Sequence, residues 1–183
     1  NMLTGQFGYS YVTQKPVSDE IIGRLKNTLL LVVPAEIIAV SIGIMLGVLA
    51  ASKRGKFFDS LTVTASLATY SLPVFWIGMM LLLILSYNLR WFPMGHSIPE
   101  SWMFYPPKNL LEEISGRLYH LALPWLTLVL IAYGSYLLLT RSAMLETITE
   151  DYIVTARAKG LKRRKILFKH ALKNASLPII TEI

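Results

Sequence analysis

Cysteine is absent from this 183-residue sequence, and charged residues are scarce. Without a thiol the sequence offers no disulfide, no thiolate nucleophile and no cysteine ligand for a metal. Only 16% of the residues are charged, against about 25% in a typical soluble domain, and 54% are hydrophobic. A water-soluble chain of this length needs more polar surface, so the composition predicts a membrane protein.

Recognisable catalytic motifs are also missing. The sequence has no GxSxG elbow, no HExxH helix and no GxxxxGK[ST] phosphate loop, since Gly55 and Lys56 lack the glycine that opens such a loop. His96, His120 and His170 have no paired or i, i+4 spacing, so we expect interfacial side chains and no metal site. The protein is therefore expected not to be an enzyme. If ATP powers it, another chain hydrolyses the ATP.

Three apolar runs are long enough to cross a bilayer as helices, which takes about 20 residues each. They cover about 27–51, 61–87 and 119–139, and a fourth begins at 177 and is cut off by the end of the sequence. The pattern predicts an all-α polytopic membrane protein with three full spans and the start of a fourth. Because the sequence opens without methionine and ends inside an apolar run, we expect a fragment of a longer protein.

The lysines and arginines predict the orientation of these spans. The connections 53–56 and 141–173 hold 12 of the 18 basic residues, and such an excess marks the cytoplasmic side. The connection 88–118 has balanced charges and is rich in Trp and Pro, so we interpret it as the outer face. Residues 1–26 then form an extracytoplasmic segment before the first span. Topology and inner-leaflet lipid explain the net charge of +7 better than nucleic acid does.

Small residues recur every fourth position in the first run, at Ala39, Gly43, Gly47 and Ala51. This spacing places them in one stripe along a helix, where they let a neighbouring backbone approach closely. The stripe predicts a helix-packing surface, either within this chain or, less favoured, at a subunit interface.

Prolines and a few polar residues also lie within the apolar runs. Pro34, Pro73 and Pro124 each remove a backbone donor, which predicts kinked helices. Freed backbone groups are tolerated where protein or water covers them, so a translocation path is one interpretation and plain bundle packing is the other. Glu36 is a further candidate because intramembrane carboxylates tend to face an interior or a cavity. The candidate path residues are Glu36, Tyr70, Ser71, Pro73 and Trp76.

A basic, glycine-broken segment, DYIVTARAKGLKRRKILFKHALKNASLPIIT, occupies 151–181. Acidic residues at its start and a helical pattern through Lys159 precede Gly160, a residue that can turn the chain. Beyond the glycine, Leu161, Phe168 and Leu172 share one face of a second helix. The pattern predicts two short helices joined at Gly160. An amphipathic helix lying in lipid headgroups is the simpler alternative.

This segment resembles the cytoplasmic EAA loop of binding-protein-dependent ABC importer permeases. It departs from the general EAA pattern, because the first acid and the proline are missing. It is similar instead to the form found in dipeptide, oligopeptide and nickel permeases, ARAKG followed by H-A-L-x-N-x-x-x-P. The matching residues are Ala156 to Gly160, His170 to Leu172, Asn174 and Pro178.

Two further stretches resemble the same family and extend the similarity over nearly the whole chain. The segment before the first span matches at Gly8, Ser10, Pro16, Val17, Arg24, Leu25, Thr28 and Leu29. The stretches SIGIMLGVLAASKRGKFFDSL, SLPVFWIG and LRWFPMG look like the next two spans and their outer turn. The chain is thus identified as similar to the B-type permease subunit of a peptide importer.

The resemblance implies a fold and a set of partners. The expected fold is the helical bundle of an ABC importer type I permease in the cell (plasma or inner) membrane, with its EAA loop, about 144–176, in the cytoplasm. The expected partners are a second permease subunit, two cytoplasmic ATPase subunits, an extracytoplasmic substrate-binding protein and membrane lipid. ATP and Mg would be bound by the ATPases, and this chain would bind no cofactor.

The resemblance also implies a function, half of a translocation path for di- or oligopeptides, moved by an EAA loop that couples to the ATPase. The small Ala156 and Ala158 would approach the ATPase groove closely. Nickel or an oligosaccharide is the alternative cargo, and a membrane scaffold with a lipid- or nucleic-acid-binding loop is the alternative function. The implied coupling residues are Tyr152, Thr155, Ala156, Arg157, Ala158, Lys159, Gly160 and Leu161.

Overall fold

Two long helices pack side by side in the computed structural model, which describes residues 7–182. Helix α1, Val17–Ser52, and helix α4, Leu110–Thr147, form the most extensive contact between elements. They contain 36 and 38 residues. At about 1.5 Å per residue, each exceeds the roughly 30 Å of bilayer hydrocarbon. The predicted runs 27–51 and 119–139 therefore lie inside longer helices whose ends extend beyond the apolar stretch.

Local sequence explains where these helices begin. Asn109 caps α4, its side-chain oxygen accepting a hydrogen bond from the Glu112 N–H at 2.8 Å. The Glu112 carboxylate accepts in turn from the Lys108 N–H at 2.9 Å. Helix α1 follows Pro16 and carries Asp19 and Glu20 in its first turn, where the helix dipole favours negative charge.

The middle of the chain is a bent pair of helices. Helix α2, Phe57–Ser71, and helix α3, Val74–Leu81, which continues as π-helix through Leu82–Asn88, meet at 103°. Pro73 caps α3, so the missing donor falls at the break. Pro34 and Pro124 lie inside unbroken helices, and of the three prolines only Pro73 interrupts one.

The all-α membrane class is confirmed, and the number of spans is confirmed only in part. Helices α1 and α4 are long and apolar enough to cross a membrane, and the bent pair makes a third crossing if it counts as one span. The predicted run 61–87 falls within this pair, and the bend lies at Pro73, one of the three positions where the sequence predicts a kink.

The Trp- and Pro-rich connection folds back onto α4. The buried Ser86 hydroxyl donates to the Phe92 carbonyl at 2.7 Å, and a 3-10 turn covers Glu100–Met103. His120 Nδ1 lies 3.2 Å from the carbonyl oxygens of Gly95 and His96, two acceptors, so it is the protonated nitrogen. The segment that carries His96 is thereby placed beside the His120 ring.

At the opposite, basic end, four helical elements follow the long helices. Helix α5 is Asp151–Ala158, helix α6 is Arg163–Lys165, and π-helix Ile166–Ala171 leads into helix α7, Leu172–Glu182. Position 177, the predicted start of a fourth run, lies within α7 and not at a helix boundary.

Candidate functional site

Gly160 terminates α5 in a Schellman motif. Its φ is +73°, a left-handed conformation that favours glycine. The Gly160 N–H donates to the Arg157 carbonyl at 2.9 Å, and the Leu161 N–H donates to the Ala156 carbonyl at 3.3 Å. These bonds satisfy carbonyl groups that the end of α5 would otherwise leave unpaired. The sequence ARAKGL thus ends the helix, and the glycine is explained by the left-handed conformation at its position.

Helix α5 has one face against the protein and one face outward. Ile153 is 0% exposed and Ala156 is 6% exposed, whereas Tyr152 is 38% exposed. The other exposed residues of this stretch are Asp151, Val154, Thr155, Arg157, Ala158, Lys159 and Gly160. The expectation that Ala156 meets a partner's groove is therefore corrected, because its side chain fills the interior of this chain. Ala158 keeps the exposed position that close approach requires.

The inward face of α5 rests on an apolar cluster that joins the ends of the long helices to the last helix. Leu161 packs at its edge, which places the hydrophobic partner of the Schellman motif beside Ala156. Members from α1, α4, α5 and the segment after Gly160 make up the cluster, so α5 is held on a fixed base. They are Val48, Ala51, Ala143, Met144, Ile153, Ala156, Ile166, Ala171 and Ala175.

The segment after Gly160 differs from its predicted form in two ways. Helical backbone continues from Arg163 to Glu182 through the π-helix, so the second helix is not short. Phe168 is 42% exposed, whereas Leu161 and Leu172 are partly buried against the cluster. The predicted shared face is wrong for Phe168, because the π-helix changes the angle between successive side chains. In the whole segment after Gly160, the buried residues are Ile166, Ala171, Ala175 and Ile179.

A basic groove runs beside α5. Its cavity of about 490 Å³ is lined by the ends of α1 and α4 and by the segment on both sides of Gly160. Arg157 and Arg163 supply its charged groups. Arg163 Nη2 also donates to the Ser52 carbonyl, which ties the segment to the last residue of α1.

An ion pair that the sequence did not predict joins α2 to α4. Arg141 Nε donates to Asp59 Oδ1 at 2.6 Å, and Arg141 Nη2 donates to Asp59 Oδ2 at 2.9 Å. Asp59 is 3% exposed. A signal was available, because Asp59 is a lone acid beside one apolar run and Arg141 a lone base beside another, and buried charges need partners.

The small-residue stripe lies against α4. Ala39 is 0% exposed and Ala51 is 5% exposed. A Cβ on Gly43 would lie 2.5 Å from the Cβ of Tyr136, closer than side chains approach in proteins. The stripe therefore faces another helix of the same chain at these positions.

The candidate path residues fall in two places. Tyr70, 63% exposed, and Trp76, 43% exposed, flank Pro73 at the bend, where the Ser71 hydroxyl donates to the Leu67 carbonyl at 2.7 Å. Glu36 lies on α1 instead, and its carboxylate accepts a hydrogen bond from the Tyr136 hydroxyl of α4.

Comparison with known proteins places this architecture in a family. Residues 43–183 match the family described as "Binding-protein-dependent transport system inner membrane component". The chain is 41% identical over 182 residues to the oligopeptide transport system permease protein AppB of Bacillus subtilis (strain 168), covering 99% of this chain and 55% of that protein. It is 37% identical over 199 residues to the dipeptide transport system permease protein DppB of Escherichia coli (strain K12), covering 100% of this chain and 58% of that protein.

A third relative is named for a different substrate. The glutathione transport system permease protein GsiC of Escherichia coli (strain K12) is 34% identical over 181 residues, covering 99% of this chain and 53% of that protein. The chain spans a little over half the length of these relatives. From the family match and these identities, the chain belongs to the family of binding-protein-dependent transport system inner membrane components.

Proposed function

We propose that this chain is part of the permease subunit of an ATP-driven importer of di- or oligopeptides, and that the segment 151–161 couples it to a cytoplasmic ATPase subunit. The observation that carries the proposal is the Schellman stop at Gly160. This motif ends α5 after two turns, so that one face of the helix is exposed while the opposite face packs on the buried apolar cluster. Such a face can transmit a push from a partner, because the helix cannot shift without disturbing the cluster beneath it.

The outward residues of α5 have chemistry suited to a protein groove. Ala158 adds little volume beyond the backbone and lets the groove approach closely. Arg157 and Lys159 would pair with acidic groups of the groove, and Tyr152 and Thr155 would complete the contact. ATP and Mg would be held by the two ATPase subunits, whose closure around nucleotide would move α5 and favour one of two conformations of the permease.

Membership of the family supports a proposal for the remaining partners. A second permease subunit would form the other half of the translocation path, an extracytoplasmic binding protein would deliver the cargo, and the basic end would face the cytoplasm beside inner-membrane lipid. The exposed Tyr70 and Trp76 at the bend are candidates for the path wall. Glu36 is the weaker candidate, because its carboxylate is engaged with Tyr136. The relatives are named as transporters of peptides and of glutathione, which favours a peptide over nickel or an oligosaccharide as the cargo.

Substitution of Gly160 in the full-length permease, assembled with its partners in proteoliposomes, tests the coupling role. Gly160→Val must adopt a positive φ that a β-branched residue strongly resists, whereas asparagine tolerates this conformation. Apart from Lys159 and Leu161 on either side, no residue of the described chain comes within 4 Å of a Cβ at this position, so a clash with other elements does not complicate the comparison. Peptide uptake and peptide-stimulated ATP hydrolysis are the readouts, and assembly with the ATPase is the control.

We expect Gly160→Val to lose most uptake and stimulated hydrolysis. Gly160→Asn should retain more of both, since it keeps the turn. Normal uptake, hydrolysis and assembly in the valine variant would contradict the coupling role.

The alternative of a lipid- or nucleic-acid-binding scaffold is favoured by one observation, the exposure of Lys162, Arg164 and Lys165. Binding through such charges weakens steeply with salt, because it depends on counterion release and unscreened attraction. Attachment to a specific ATPase should instead survive moderate salt and depend on Gly160. Loss of all partner binding at elevated salt, with no effect of Gly160 variants, would favour the scaffold.

A further inference from the structure

Two arginines hold the turn between α1 and α2. Arg141, near the end of α4, binds Asp59 in the first turn of α2 through two hydrogen bonds, at 2.6 and 2.9 Å. Arg163, three residues after Gly160, donates to the carbonyl of Ser52 at the end of α1. The turn is therefore tied both to the helix that precedes α5 and to the segment that follows it. We call the set Ser52, Asp59, Arg141 and Arg163 the inner clamp.

Hydrogen bonds hold the Asp59 carboxylate in one orientation, in addition to pairing its charge with Arg141. Besides the two bonds from Arg141, its Oδ2 accepts a hydrogen bond from the Gly55 N–H at 3.0 Å. Three donors from two elements thus converge on one carboxylate that is 3% exposed. A two-pronged arginine–carboxylate pair restricts rotation, which a single lysine contact does not.

Helix α2 also meets α4 beyond the clamp. A Cβ on Gly134 of α4 would lie 3.1 Å from the Ser66 carbonyl oxygen of α2, so the two backbones run close together there. From this contact α2 continues to Ser71, and the 103° bend follows. A displacement of the end of α2 that carries Asp59 would thus move the bend at Pro73, because one short helix connects the two.

We propose that Asp59 and Arg141 are positioning residues for coupling. They make the α1–α2 turn and α2 move as one unit with α5 and the segment that follows it. The inference rests on the proposed function, because it concerns how motion of α5 reaches the bent helices. A buried ion pair adds little net stability over well-packed apolar residues, so stability alone is a weak reason for this arrangement. Its geometry joins α2 to α4 through two residues that are 82 positions apart in the sequence.

Variants of the pair test the inference in the full-length complex with binding protein and ATPase in proteoliposomes. Asp59→Asn keeps the shape of the side chain but removes its negative charge. Arg141→Lys keeps the positive charge but removes the guanidinium group that makes two hydrogen bonds to Asp59. Glu113→Gln is the matched control, because Glu113 pairs with Arg117 at 3.1 Å in an exposed i, i+4 ion pair far from α5 along α4. The readouts are ATP hydrolysis with and without peptide-loaded binding protein, peptide taken up per ATP, and the thermal midpoint of the complex.

Both clamp variants are expected to reduce the stimulation of hydrolysis, and the peptide taken up per ATP, by about fivefold, at the lower end of usual allosteric coupling factors. Basal hydrolysis should persist, and Glu113→Gln should match wild type. A lowered thermal midpoint with wild-type stimulation and uptake per ATP would overturn the inference while leaving the proposed function intact. Failure of the wild-type complex to couple hydrolysis to uptake would overturn both.

A second measurement avoids altering the clamp. Spin labels on cysteines that replace the exposed Lys56 and Lys162 report the distance between the turn and the α5 segment. We expect their separation in the otherwise wild-type complex to change by less than about 2 Å between nucleotide-free and ATP-trapped states, the scale of shifts within packed units. A larger change would show that the turn and the segment move independently, and would overturn the inference even if the clamp variants failed to assemble.

Discussion

Gly47 of α1 and Thr140 of α4 lie so close that a Cβ on the glycine would be 2.6 Å from the Cβ of the threonine and 2.8 Å from the Leu137 carbonyl oxygen. Because one obstacle is backbone, rotation of a side chain cannot relieve the contact. The contact lies near the basic end of both helices, just before the cluster that supports α5. Packing of α1 on α4 thereby determines the position of the apolar cluster that supports α5.

Gly47→Ala should separate α1 from α4. Overpacking of this kind lowers the free energy of unfolding by about 1–3 kcal/mol. Gly23→Ala in the same helix is the control, because nothing lies within 4 Å of a Cβ there. It should be neutral or stabilise by up to about 1 kcal/mol through helix propensity. Unfolding of the full-length protein in mixed micelles, followed by circular dichroism, measures both, and equal effects would contradict the close approach.

Thr140→Val should not destabilise the protein. Thr140 is 0% exposed, and its hydroxyl has no hydrogen-bond partner within residues 7–182. Removing an unsatisfied buried hydroxyl is expected to raise the free energy of unfolding by about 1 kcal/mol. Thr147→Val, which deletes a 2.8 Å bond to the Ala143 carbonyl, should instead lower it by about 0.5 kcal/mol. The same unfolding measurement applies, and a clear loss in Thr140→Val would indicate a partner outside these residues.

Tyr136→Phe should weaken the contact between α1 and α4 within the membrane. Its hydroxyl donates to Glu36, and loss of one such bond lowers the free energy of unfolding by about 1 kcal/mol. Tyr133→Phe is the matched control, because its hydroxyl takes part only in a long 3.4 Å contact from Thr69 among the hydrogen bonds described for it. Glu36→Gln retains an acceptor oxygen and should preserve most stability. A larger loss for Tyr133→Phe than for Tyr136→Phe would contradict this arrangement.

Much of the fold was predictable because it depends on local pattern. Apolar length predicted the membrane helices α1 and α4, and the glycine in ARAKG predicted the turn that ends α5. The small-residue spacing from Ala39 onward indicated a packing face, although a pattern on one helix does not say which helix covers it. These features depend on residues within a few turns of one another, and sequence periodicity reports such relations directly.

The remainder depends on relations across the chain. The 2.6 Å contact of Asp59 with Arg141 joins residues 82 positions apart. The local sequence around either residue does not identify the other as its partner. The inward orientation of Ala156 follows from where the end of α4 directs α5, so a motif alone does not separate it from the exposed Ala158. Proline likewise had different outcomes, a break at Pro73 and continuous helix at Pro34.

The central claim, that the outward face of α5 contacts an ATPase, is tested most directly by single-cysteine cross-linking. This sequence has no cysteine, so Ala158→Cys and Ala156→Cys in the full-length complex, with any other cysteine replaced by serine, form a matched pair two residues apart. A short thiol-to-amine cross-linker should join Ala158→Cys to the ATPase subunit and leave the buried Ala156→Cys unlinked. An intact, transporting complex in which Ala158→Cys remains unlinked, or in which both cysteines link equally, would contradict the account.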